Sequence, residues 1–157
     1  MKSLLKKARE NKKGFTLAEL LVVVAIVGIL VAISIPVFTA QLGKARKATN
    51  QANLRAAKAA AVAEYLTSED TNRGTALYYE YDVAAGSIKS GSPKIDKPGN
   101  TYTEFSTMDD AKISGKVVYD DIWVGITTSA DDEKGTISNE SVKMYAKSTK
   151  SSTTESK

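Results

Sequence analysis

The sequence predicts an α+β protein. A long N-terminal α-helix, its first half inserted in a membrane, packs through its second half on a small antiparallel β-sheet. Three observations carry this. Basic residues cluster ahead of a long apolar run, a helical period continues beyond that run in Ala-rich sequence, and the C-terminal part alternates polar and apolar residues with period two.

The chain has 157 residues, 42% of them hydrophobic, with no cysteine and no histidine. Without Cys there is no disulfide framework, thiolate zinc site or cysteine nucleophile. Without His the commonest general base and metal ligand are gone. No P-loop, dinucleotide fingerprint or G-x-S-x-G occurs. The expectation is a non-enzymatic protein with no cofactor and no metal.

Residues 1–14 (MKSLLKKARENKKG) carry six Lys/Arg and one Glu, a charge of +5, whereas the rest of the chain nets −1. The basic character thus belongs to a short arm and gives no general reason to expect nucleic-acid binding. Phe15–Gly43 follows with one charge, Glu19, and Leu20–Ile33 is apolar at every position except Gly28. As a helix, Phe15–Leu42 would be about 42 Å long, against a hydrocarbon core of about 30 Å. The Lys-rich arm stays on the cytoplasmic side and the remainder faces outward, because orientation follows the Lys/Arg bias. An ordinary secretory signal cut near Ala32-Ile33-Ser34 is the alternative. Against it, the sequence beyond that point stays helical.

Residues 44–66 read as an amphipathic continuation packed on the sheet. Ala45, Ala48, Ala52, Ala56, Ala59, Val62 and Leu66 form a small-residue stripe expected to cover the sheet, opposite the polar stripe Lys44, Lys47, Gln51, Arg55 and Lys58. One helix is expected from Phe15 to about Leu66, roughly 78 Å if unbroken. Pro36 should kink it, and Gly28, about 1 kcal/mol worse than Ala in a helix interior, is a second weak point. Melting Gly28–Pro36, with its β-branched run, is therefore cheap.

Thr71-Asn72-Arg73-Gly74 ends the helix. Residues 67–112 read as the connection to the sheet: Leu77–Val83 is aromatic and β-prone, and Gly86–Asn100, with Pro93 and Pro98, reads as loop. The sheet is expected within 113–147, as strands Ile113–Tyr119, Ile122–Ser129 and Ser141–Lys147 in a meander, with Asp131–Gly135 as a turn. The tail 148–157 (STKSSTTESK) has nothing to bury and is expected to be disordered.

Gly14-Phe15-Thr16-Leu17-Ala18-Glu19-Leu20, between a basic arm and an apolar helix, closely resembles the class III leader and N-terminal segment of type IV pilins and pseudopilins. The likeness is close over residues 1 to about 45 and holds only in outline beyond. It implies a leader of residues 1–14, cut by a membrane prepilin peptidase between Gly14 and Phe15, and N-methylation of Phe15. It also implies a helical homo-oligomeric filament, with a polytopic platform protein, a cytoplasmic assembly ATPase and membrane lipid as partners. Gly28 and Pro36 fall where filaments of the family carry a melted helix segment. The chain departs from many members in lacking the cysteines that close a C-terminal loop. The expected function is a major-type pilin, held in the cell membrane before assembly and extracellular after it. A pseudopilin of a secretion or DNA-uptake system is the alternative. From another class, a single-pass anchored extracellular binding domain remains.

Glu19 has a physical reading beside the resemblance. A carboxylate in an apolar helix costs about 2.5–3.5 kcal/mol near the bilayer centre, less towards an end, so it needs a partner. Cleavage before Phe15 exposes an α-amino group, and no other charge lies before Lys44. Pairing Glu19 with the amine of a neighbouring Phe15 would set the register of packed helices. Thr16-Leu17-Ala18-Glu19 also fits a capping box, and the two roles are compatible.

Three further groups carry weaker signals. Lys44, Lys47, Arg55 and Lys58 offer phosphate contacts to DNA, but such a stripe is ordinarily a solvated face, here near anionic lipid. Asp131, Asp132 and Glu133 read as a solvated turn before a calcium loop. Tyr78, Tyr79 and Tyr81 read as packing before a sugar- or protein-contact patch.

Overall fold

The computed structural model describes residues 14–68, 74–108, 111–128, 137–138 and 141–150. The arm ahead of Gly14, the expected helix stop at Thr71–Arg73, the acidic turn Asp131–Glu133 and the tail beyond Lys150 lie outside the described residues. The chain divides into two compact units, Met1–Gln41 and Leu42–Lys157.

A single helix, α1 (Leu17–Thr67), runs through Gly28–Pro36 without a break. Thr16 is its N-cap, and no Gly interrupts it between Gly43 and its end. In the first unit every residue from Gly14 to Gln41 is exposed. In the second unit α1 has one buried face: Asn50, Leu54, Ala57, Ala61 and Tyr65. Their spacing of three and four places them on one stripe.

Five antiparallel strands follow: β1 (Leu77–Asp82), β2 (Ser87–Ile88), β3 (Thr103–Phe105), β4 (Asp121–Ile126) and β5 (Val142–Lys147). Their spatial order is β2-β1-β4-β5-β3. Leu77 faces Ile126 and Tyr81 faces Ile122 between β1 and β4, while Ile122 faces Ala146 and Ile126 faces Val142 between β4 and β5. The alternation expected for β4 and β5 holds. Ile122, Val124, Ile126, Val142, Met144 and Ala146 form one core with Leu77, Tyr79, Tyr81 and Phe105 and with the buried face of α1. Full burial of each large apolar side chain here contributes about 1.5–3 kcal/mol. A helix on a five-stranded antiparallel sheet is the α+β layout expected.

Within that layout, three details correct the sequence reading. First, Ile113–Tyr119 is not a strand. Three of its backbone groups bond to the helix: Asn50 Nδ2 donates to the carbonyls of Ser114 and Val117, both at 2.8 Å, and Asn50 Oδ1 accepts from the N–H of Tyr119 at 2.8 Å. Arg46 adds a bond to the Lys116 carbonyl at 2.9 Å. A segment whose polar backbone is taken up by helix side chains has less to offer a ladder. It forms a strap, with Ile113 and Tyr119 turned into the core.

Second, β1, β2 and β3 arise in 67–112, which the sequence reading gave to the connection. Tyr79 and Tyr81 are buried, so packing, not a contact patch, explains these two aromatics. Third, the face of α1 on the sheet is not the alanine stripe. Ala45, Ala48, Ala52, Ala56, Ala59 and Leu66 are exposed and Val62 is partly so. Alanine buries little area, and the face bearing Leu54, Tyr65 and the hydrogen-bonding Asn50 offers more.

The outer sheet face is polar and internally neutralised. Glu80 pairs with Lys89 and Lys94, Glu104 with Lys97 and Lys143, and Asp121 with Lys147. Gly125 on β4 lets Tyr78 and Tyr145 close over the sheet edge-to-face, their centroids 5.9 Å apart. A Cβ there would stand 2.8 Å from the Tyr78 ring.

Candidate functional site

The residues singled out in the sequence lie at the start of α1 and along its exposed half. Gly14, Phe15 and Thr16 are non-helical and exposed, so the Gly14–Phe15 bond lies in irregular chain just ahead of the helix. Peptide bonds inside a helix are hydrogen-bonded; this one is free to enter a peptidase cleft in extended form. A Cβ on Gly14 would meet nothing within 4 Å, and its φ is not positive. The fold itself therefore places no demand for glycine at position 14.

One turn of chain then brings Thr16 and Glu19 together. The Thr16 N–H and hydroxyl both donate to Glu19 Oε2, at 2.8 and 2.9 Å, and the Glu19 N–H donates to Thr16 Oγ1 at 3.2 Å. This is the reciprocal capping box. It occupies one carboxylate oxygen; Oε1 has no hydrogen-bond partner among the described residues. Glu19 thus caps its own helix through one oxygen and leaves the other outside the cap.

Gly28 and Pro36 lie on the same exposed helix, roughly 13 and 25 Å of axial rise beyond Glu19. They do not join Glu19 in one cluster. A Cβ at Gly28 would also meet open space, so nothing in this chain's own packing explains a glycine that weakens the helix. Pro36 cannot donate to the Ala32 carbonyl. Around it, Ser34 Oγ donates to the Leu30 carbonyl at 2.7 Å and Thr39 Oγ1 to the Pro36 carbonyl at 3.0 Å. These bonds satisfy the two hydroxyls locally within an apolar stretch.

The surroundings are apolar on every side. Large side chains from Phe15 to Phe38 are 48–89% exposed. α1 carries a stretch long and apolar enough to cross a membrane, none of it buried. A helix hydrophobic all round is normally buried in protein or lipid.

Other sequence candidates sit elsewhere. Lys44 and Arg55 are exposed, and Lys47 and Lys58 partly exposed, on the second half of α1. Among the described residues no cluster of acids forms a metal site. Sequence reasoning missed the Asn50 clamp. Its signal is an Asn at a helical spacing from Leu54, Ala57 and Ala61.

Residues 9–35 match the family profile described as the prokaryotic N-terminal methylation motif. The match spans less than a fifth of the chain and covers the Gly14–Phe15 bond, the capping box and Gly28. It supports the type IV pilin and pseudopilin family, with processing by prepilin peptidase and anchoring in a membrane. No curated protein and no solved structure gives a significant match to the chain.

Proposed function

We propose that the chain is a structural subunit, a major-type pilin, of an extracellular type IV pilus. It is held in the cell membrane as a precursor, cut between Gly14 and Phe15, methylated at Phe15 and polymerised through α1. The observation that carries this reading is the apolar half-helix, exposed throughout among the described residues, with one Glu19 carboxylate oxygen outside the cap.

The sequence of events has a physical order. Cleavage ahead of the apolar helix leaves the anchor in place and frees an amine at Phe15. In the membrane, lipid covers the helix; in a filament, the helices of other copies replace it. The amine of an incoming Phe15 pairs with Glu19 Oε1 of a neighbour while Oε2 stays in the cap. That pairing sets the axial register, because an unpaired carboxylate among apolar side chains is costly. Gly28 and Pro36 give the helix a segment that melts at low cost as subunits pack. A platform protein and an assembly ATPase supply the insertion and the work.

Glu19→Gln tests the reading, since a glutamine oxygen accepts the same two bonds from Thr16 but carries no charge. Filament yield is expected to fall at least tenfold, with membrane level and midpoint temperature of the folded part unchanged. Normal yield rejects the assembly role. Long surface fibres built of this chain support the major-type reading; their absence, with a processed chain still in the membrane, favours a pseudopilin.

A further inference from the structure

Two groups of cations in the second unit contrast among the described residues. On the sheet face, Lys89, Lys94, Lys97, Lys143 and Lys147 each pair with a carboxylate at 2.6–3.3 Å. Where α1 enters this unit, Lys44, Arg46 and Lys47 on the helix and Lys112 and Lys116 on the strap form no ion pair with any described residue. Residues 40–50 and 111–119 contain these five cations and no acid; of the aspartates flanking the strap, Asp120 accepts from Thr149 and Asp121 pairs with Lys147, while Asp109 and Asp110 lie outside the described residues. Surface lysines are easily neutralised, as the sheet face of this protein shows; these have no ion pair among the described residues.

They are also held together. Asn50 is fully buried and makes three hydrogen bonds to the strap backbone, and Arg46 binds the Lys116 carbonyl. Gly115 lies so close to Gly43 that a Cβ on it would be 2.7 Å from the Gly43 carbonyl oxygen. The strap is thus fixed to the helix before any ligand arrives, which removes an ordering cost from binding. Two apolar side chains accompany the cations: Val118 on the strap is 40% exposed and Leu42 on the helix 38%.

We propose that the strap 111–119 and the turns of α1 from Leu42 to Lys47 form one basic collar that lies on anionic phospholipid headgroups while the chain is membrane-anchored. This rests on the membrane-anchored stage proposed above, but not on filament formation. Three features favour lipid over a soluble polyanion. Lys44 follows the apolar half of α1 within one turn of continuous helix. The collar pairs cations with exposed Val118 and Leu42, which suits an interfacial layer and adds nothing to phosphate binding in water. Finally, cations on the far side of a span work against the Lys/Arg bias that orients it, so their presence there calls for a local partner. Juxtamembrane Lys and Arg gain from an anionic surface within a Debye length.

The chain lacks cysteine, so Val118→Cys gives a single labelling site. The full chain carrying a fluorophore at this position is placed in vesicles of phosphatidylcholine, or of phosphatidylcholine with about 30 mol% phosphatidylglycerol. A headgroup-attached quencher reads the collar's contact. Quenching is expected to be several-fold stronger with phosphatidylglycerol and to fall by at least half in about 0.5 M NaCl. Lys112→Gln with Lys116→Gln should return it to the phosphatidylcholine level, while Lys112→Arg with Lys116→Arg should keep it. Equal quenching in both lipids, or no response to the Gln pair, overturns the proposal. So does duplex DNA binding the detergent-solubilised chain in a manner abolished by the Gln pair, which would assign the collar to a soluble polyanion. A chain that floats with neither vesicle refutes the membrane anchor and the collar together. A chain that floats and shows no lipid preference refutes the collar alone.

Discussion

The two halves of α1 are one helix with opposite surface chemistry. From Leu17 to Gln41 no residue is buried, though nearly all are apolar; beyond Leu42 one stripe from Asn50 to Tyr65 is buried and most of the rest is small or polar. The second half finds its apolar partner in its own sheet. The first half is exposed throughout among the described residues. Both halves are helical; what differs is the surroundings each surface suits.

This contrast can be broken from either end. The largest effect is expected at Gly14, where the fold makes no demand. Gly14→Val should leave nearly all of the chain as uncut precursor, with the fold of the second unit unchanged, as read by intact mass and circular dichroism. Normal cleavage would show that position 14 is not read by the peptidase.

Asn50→Ala should act only on the second half. It leaves two carbonyls and the Tyr119 N–H without their partner, a loss of about 3 kcal/mol in unfolding free energy by denaturant titration. Membrane insertion should not change. A smaller and asymmetric effect is expected at the facing glycines. Gly115→Ala drives a Cβ against the Gly43 backbone and should cost about 2 kcal/mol, whereas at Gly43 the nearest atom is an ordinary 3.7 Å away. Gly43→Ala should therefore be neutral or stabilise by up to about 1 kcal/mol through helix propensity. Equal effects at the two positions would contradict the clamp geometry.

The smallest effect concerns acid. Hydrogen bonds from Lys143 and Lys97 hold the Glu104 carboxyl below its ordinary value of 4.5. A lowered folded-state pKa adds stability that is present above the unfolded value and lost as pH falls through the folded one. Midpoint temperature should be flat from pH 8 to about 5 and decline gently below the ordinary carboxylate range, less so in Glu104→Gln.

Much of the first half was legible because its information is local and contiguous. Gly14, Phe15 and Glu19 lie within six residues, and Thr16-x-x-Glu19 specifies a cap that forms as read. In the sheet, the alternation of Ile122, Val124 and Ile126 with Trp123 and Gly125 marks β4, and the same period marks β5. The strap was illegible for the converse reason. Ile113–Tyr119 has strand-like composition, but its backbone is satisfied by Asn50, more than sixty residues away. The alanine stripe misled because spacing gives a period and not a phase. Ala57 and Ala61 share that period with Ala56 and Ala59, and only the positions of Leu54 and Tyr65 tell which face turns inward.

The most direct test of the central claim, a subunit released from its leader ahead of an intact apolar helix, is the N-terminal mass of the chain recovered from its native membrane. The account predicts Phe15 as the first residue, heavier by one methyl group. A chain beginning at Met1, or at Ile35 after removal of the apolar segment as an ordinary signal, contradicts it.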